Sequence, residues 1–238
     1  RFNVKIDMLL YLLFLSGFIG LFNTIEYRLD GYCKKNEAVG FVKKIKKETD
    51  ILTVKYRIVN FVKSALLGIL CVPTCYLFNS VLFYPDTVNY YQVSVFAALY
   101  ASVDMAALVY NSKNHISTNV HHITVQLFYF YILYYDFAMI NLVRPIITYA
   151  CFSLFAYLVN GRLSIRKLDL TLEDKINDLS LVVYINTSVF NWIAQLYLIL
   201  FDIPELPFLY TKMLYLILVL VIVSDDIFLM KYLYHYSS

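Results

Sequence analysis

From Leu214 to Val223 the chain runs through an unbroken apolar block, and stretches of similar character recur along its whole length. A bilayer core about 30 Å thick needs roughly 20 mostly apolar residues per helix. Seven stretches meet that need: approximately Asp7 to Asn23, Phe61 to Tyr84, Gln92 to Tyr110, Thr118 to Leu142, Pro145 to Asn160, Leu179 to Phe201 and Phe208 to Tyr232. A membrane β-barrel would instead show alternating strands of about ten residues. Composition agrees with helices in lipid. The 238 residues are 61% hydrophobic and 16% charged, against about half and a quarter for soluble domains, and a core of this size cannot hide the excess. The sequence therefore predicts an all-α fold, a polytopic membrane helical bundle of about seven transmembrane helices.

The loops supply a direction. Arg28, Lys34, Lys35, Lys43, Lys44, Lys46, Lys47, Lys55 and Arg57 crowd the first connection, and Arg162, Arg166, Lys167 and Lys175 crowd the fifth. With seven spans both connections fall on one face, which the positive-inside rule assigns to the cytosol, or to the matrix in a mitochondrial inner membrane. The opposite face carries Asp86, Arg144, Asp202 and Glu205, with Arg1 and Lys5 in the tail. No small-residue cleavage site follows the first apolar segment, so it reads as an anchor rather than a signal peptide. The chain opens on Arg1 rather than Met, as a processed product or an incomplete sequence would. Phe41, Val42, Ile45, Leu52 and Val59 interrupt the lysines at near-helical spacing. Two readings follow: an amphipathic helix on an anionic leaflet, or a solvated basic connector. The organisation expected is residues 1–58 as anchor helix plus basic amphipathic loop, then residues 59–238 as a six-helix membrane domain.

Ionisable groups inside a span are costly unless paired or hydrated, which makes each a candidate site. Asp104 lies roughly 9 Å before the end of span three, His122 about 6 Å into span four, and Asp225 about 10 Å before the end of span seven, at 1.5 Å of rise per residue. With the alternating directions of the spans, Asp104, His121, His122 and the Asp225–Asp226 pair share one layer in the basic-side third of the membrane. In span four His122, Gln126, Tyr129 and Asp136 form a polar stripe at helical period, with His121 off the stripe; Thr187, Asn191 and Gln195 form another in span six. Such stripes line hydrated or ligand-filled interiors, or join helices by hydrogen bonds. A neutral imidazole beside a carboxylate can serve as a base or an acyl-accepting nucleophile, with Asp104 orienting it. The same pair can bind a lipid head group, or form a structural polar lock.

Cys33, Cys71, Cys75 and Cys151 have no zinc-ligand spacing with a histidine and are expected as reduced packing residues. No metal and no cofactor is expected. The basic stretch lacks base-stacking motifs, which argues against nucleic acid as a partner.

The sequence His121-His122-Ile123-Thr124-Val125 opens a span after an acidic residue on the preceding span, Asp104, and a polar loop (Asn111 to Asn119), and Asn160, Arg162 and Arg166 close the next span at its basic end. This pattern resembles the TLC-domain superfamily of endomembrane proteins, which includes the ceramide synthases. The resemblance covers roughly Phe61 to Tyr232. It implies a six-helix barrel around a membrane-embedded cavity for acyl chains, preceded here by one extra helix, and an endoplasmic reticulum or other endomembrane location. Ceramide synthases use the paired histidines in acyl transfer from acyl-coenzyme A, a role that by carry-over falls on His121 and His122, with Asp104 beside them. They also carry a His-Asp pair at the end of the following span. No histidine stands between His122 and His235 here, so the likeness is to the non-synthase members.

The function expected is lipid handling or lipid sensing, with Asp104, His122, Gln126, Tyr129, Asn191, Gln195 and Asp225 around the lipid. The alternatives are an accessory structural subunit of a larger membrane complex, and a lipid acyltransferase with acyl-coenzyme A as co-substrate. Membrane lipids and membrane-protein partners are the companions expected.

Overall fold

The computed structural model describes residues 4–36, 51–111, 116–135, 140–166, 168 and 170–235. Among them are the helices α1 (Val4–Lys35), α2 (Ile51–Phe83), α3 (Tyr90–Tyr110), α4 (Ile116–Tyr134), α5 (Ile140–Ser153), α6 (Tyr157–Ile165), α7 (Leu170–Phe201) and α8 (Leu209–His235), and no strand. The 3-10 turn Leu154–Ala156 joins α5 to α6, and the two act as one traverse. The protein is thus an all-α bundle of seven traverses, as the sequence predicts. Six of them are long and apolar enough to cross a membrane, which makes this an integral membrane protein. The seventh, α4, has 19 residues and so rises about 28 Å. It turns His122, Gln126 and Tyr129 inward, where all three are buried.

Polar ties at the two ends fix the directions. At one end the Ser94 hydroxyl donates to Asp7, Arg144 grips both oxygens of Asp202 at 2.8 and 2.7 Å, and Tyr131 donates to the Thr211 carbonyl at 2.9 Å. At the other, basic end Tyr110 donates to Glu26 at 2.5 Å, Arg57 to the Arg166 carbonyl at 2.8 Å, and Arg162 pairs with Glu173 at 3.3 Å. Consecutive traverses therefore alternate, and α1 runs parallel to α3.

Several segments differ from their sequence-based outlines. Helix α1 has 32 residues, well beyond Asn23, because its second half packs on α2 and α3 through Phe22 and Ile25. Helix α2 begins at Ile51, so the stretch up to Val59 continues a membrane helix. Ile58 and Val59 are buried against α1 and α3, a fit for a bundle rather than for a helix lying on a leaflet. The first part of that basic segment, Phe41 to Lys47, lies outside the described residues. Helix α4 ends at Tyr134, and Leu142 belongs to α5. The fifth traverse reaches from Ile140 to Ile165 with Pro145 inside it. Residue 58, where the two-part organisation was drawn, falls within α2.

Neighbouring traverses close a ring in the order α2, α3, α4, α8, α7, α5/α6 and back to α2. Helix α1 lies outside it, packed chiefly on α3. The small residues Ala106 and Ala107 of α3 admit Phe22 of α1, which is fully buried, because small side chains let helix backbones approach in lipid. Apolar side chains such as Phe190, Ile193 and Leu196 cover the outer face of α7, while Asn177, Ser180, Ser188, Asn191 and Gln195 face inward. Polarity inside and apolarity outside suit a lipid solvent, in which polar groups must find partners within the protein.

Candidate functional site

Asp104, near the basic end of α3, carries the site. Its side chain is 3% exposed, and Lys63 from α2 places Nζ 2.6 Å from Oδ1. From α4, His122 Nδ1 lies 3.4 Å from the same Oδ1, and His121 Nε2 lies 4.0 Å from Oδ2. The other face of His121 meets α8, where Nδ1 is 3.0 Å from Asp225 Oδ2. Two adjacent histidines project 100° apart on a helix. Both reach the cluster because Asp104 sits between their directions, and their rings meet edge-on at 5.6 Å. Four helices thus bring one lysine, two histidines and two carboxylates to a single level.

The neighbouring Asp226 points elsewhere. It accepts from Tyr149 of α5, from Tyr184 of α7 at 2.7 Å and from the Trp192 indole at 3.3 Å. The Asp225–Asp226 pair therefore splits across α8: one carboxylate faces His121, and the other ties α5 and α7 to α8.

The cluster opens on a cavity of about 460 Å³ within the ring of helices. Lys63, Asp104, His121, His122, Asp225 and Asp226 are among its walls, with Tyr100, Asn160 and Tyr184. Tyr56, Arg166 and Tyr232 line it toward the basic end. A second, narrow void of about 40 Å³ shares Tyr100, His121 and Ser153 with the first. It runs away from the basic end between α3, α4, α5 and α8, past Ala97, Ala101, Val125, Ile132 and Ile146. Ala97 and Ala101 stand one turn apart, and their small side chains leave the groove that this slot occupies.

The residues foreseen from sequence divide into two groups. Asp104, His121, His122 and Asp225 come together as a layer. His121, expected off the polar stripe, is the bridge between the two carboxylates. Tyr129 borders the slot, but its hydroxyl donates to the Asp7 carbonyl at 3.2 Å and its ring stacks on Tyr11 at 5.0 Å. Gln126 lies outside both voids. It accepts from Tyr11 at 2.8 Å and donates to the Ala101 carbonyl at 2.8 Å, tying α1, α3 and α4 together. Asn191 and Gln195 also lie outside. Gln195 donates to the Pro145 carbonyl at 2.9 Å and accepts from Tyr215, which joins α7 to α5 and α8. Gln126 and Gln195 are glue between helices, the other meaning of a polar stripe in lipid, and Asn191 accepts from Gln195 within α7 at 3.5 Å. Asp136 is outside the described residues.

Sequence reasoning passed over Lys63. A lysine three residues into a span reads as a side chain that snorkels to the interface, and only its depth relative to Asp104 hinted otherwise. It also gave no sign of Tyr100 or Tyr184, because aromatic residues are common in every span of this chain. The cysteines are free. Compared with protein-family models, curated proteins and solved structures, the chain has no match.

Proposed function

We propose that the protein holds a membrane amphiphile and works in lipid handling or lipid sensing. The carrying observation is the pair of neighbouring voids that share Tyr100, His121 and Ser153 as walls, a charged chamber near the basic face and an apolar slot toward the bilayer interior. That polarity sequence matches a lipid entering head group last. Lys63, His121, Asp225 and the tyrosines offer donors and acceptors for the head group, while Ala97, Ala101, Val125, Ile132 and Ile146 offer the chain an alkane-like wall. Pockets for small molecules are mostly apolar, with a few convergent polar groups that fix orientation. The absence of a phosphate-binding glycine loop supports lipid over nucleotide as cargo. We infer an endomembrane location and kinship with the non-synthase members of the TLC-domain superfamily, on the strength of the sequence resemblance.

Lipid mass spectrometry of the protein purified in mild detergent tests the reading. Wild type should retain a defined lipid class. Ala101→Phe fills the slot next to Tyr100, a wall it shares with the chamber, and should lose most of that lipid while the fold persists. Equal retention in wild type and Ala101→Phe would refute the assignment of the slot.

A further inference from the structure

The polar layer contains more than a head-group site needs. Asp104, His121 and His122 offer ligand atoms that all lie within 4.8 Å of one another, inside the bundle and on the wall of the cavity. Asp104 Oδ2, His121 Nδ1 and His122 Nδ1 are buried and make no hydrogen bond. Unpartnered buried polar atoms are uncommon, and each asks for an explanation such as an ion. The 4.0 Å between Asp104 Oδ2 and His121 Nε2 is too long for a hydrogen bond. With zinc bonds of about 2.0–2.2 Å, two ligand atoms of a tetrahedral site stand roughly 3.3–3.6 Å apart, so an ion held between these two would draw them together by about half an ångström. We propose that Asp104, His121 and His122 bind a divalent transition-metal ion, with its remaining coordination position open to the cavity.

The surroundings have the form of an outer ligand shell. Metal-bound histidines generally give their second ring nitrogen to a carboxylate, which fixes the tautomer and raises ligand basicity. Asp225 is the carboxylate within reach of that role: its Oδ2 lies 3.0 Å from His121 Nδ1, and a small turn of the ring would align the two for a hydrogen bond. A proton kept on Nδ1 leaves the Nε2 lone pair directed at Asp104. Lys63 takes Oδ1 of Asp104 at 2.6 Å and so leaves Oδ2 for the ion. The lysine charge opposes a cation, but the total is modest. A divalent ion and Lys63 set against Asp104 and Asp225 leave one positive charge, which a bound hydroxide or an anionic head group completes. Two imidazole nitrogens and one carboxylate oxygen suit zinc, iron(II) or cobalt(II) rather than calcium or magnesium. Three protein ligands with one open position describe a site that can take an exogenous oxygen ligand, not a closed structural site. Spacing of cysteines and histidines along the chain gave no sign of it, because the third ligand comes from the preceding helix. The inference holds whether or not a lipid occupies the cavity.

The competing arrangement is a protonated His121 bridging Asp104 and Asp225 with no ion. Cobalt(II) separates the two. The full chain in mild detergent, stripped with chelator and titrated with cobalt(II), should take up one ion per chain with ligand-field absorption in the visible. Metal content after desalting is counted by plasma mass spectrometry. Asp104→Asn, His121→Ala and His122→Ala should each abolish the band, and Asp225→Asn should weaken binding roughly 10–100-fold. Removing the other two histidines, His115 and His235, should leave it intact. If the alanine variants fail to fold, His122→Gln must lose the band while keeping the wild-type Trp192 emission. No band in wild type, or undiminished uptake in the folded His122→Gln chain, overturns the site.

Discussion

Replacing Lys63 by methionine tests the physical centre of the bundle. Methionine keeps an unbranched chain out to the ε position, with sulfur in place of Cδ, and lacks the ammonium. Lys63 and Asp104 have side chains 11% and 3% exposed and meet at 2.6 Å. Removing one partner of such a buried pair leaves an uncompensated charge and costs about 3–5 kcal/mol. Lys55 supplies the contrast: its side chain and that of Glu26 are each 28% exposed, and they lie 3.9 Å apart. Lys55→Met should cost less than about 1 kcal/mol, the usual worth of an exposed pair. Pairing Lys63→Met with Asp104→Leu removes both charges, and the double variant should recover much of the loss, because buried pairs replaced by apolar groups are often neutral. The assay is a double-mutant cycle from reversible unfolding in mixed micelles with chelator present, so that no ion contributes. A coupling of about 2 kcal/mol or more is expected, within the range for directly contacting residues. If Lys63→Met and Lys55→Met cost the same small amount, Lys63 snorkels to the interface and the layer loses its keystone.

Three further tests probe the supports. Asp226→Leu strands the hydroxyls of Tyr149 and Tyr184 and the indole of Trp192; about 1–3 kcal/mol of stability should go, with a shifted emission from Trp192, the only tryptophan, and an unchanged spectrum would contradict the contact. Gln126→Leu releases Tyr11 and the Ala101 carbonyl and should cost about 0.6–2 kcal/mol, the scale of interhelical hydrogen bonds in lipid, while bound lipid measured by mass spectrometry stays at the wild-type level. In α6, a Cβ added to Gly161 would meet Ser64 Oγ of α2 at 3.1 Å. Gly161→Leu should therefore destabilise by about 1–3 kcal/mol through overpacking, with Gly161→Ala milder, as thermal unfolding would report.

What the sequence determined is the part of the fold that one helix can encode by itself. Apolar length gave the traverses, lysine placement gave the basic face, and a rise of 1.5 Å per residue brought Asp104, His122 and Asp225 to one level. Depth is a property of a single helix in a bilayer, so it could be read locally. Direction could not. Periodicity says that His122, Gln126 and Tyr129 share a stripe, but not which neighbour that stripe meets. Tertiary packing turned His122 toward Asp104 and Gln126 toward Tyr11 of α1, because a long α1 came to lie against α3 and α4. It also sent Asp225 to His121 and Asp226 to three donors on α5 and α7, though the two residues are adjacent in the chain. Lys63 became a buried partner instead of an interfacial one for the same reason: only the arrangement of neighbouring helices fixes whether a side chain near a span end reaches water or a carboxylate.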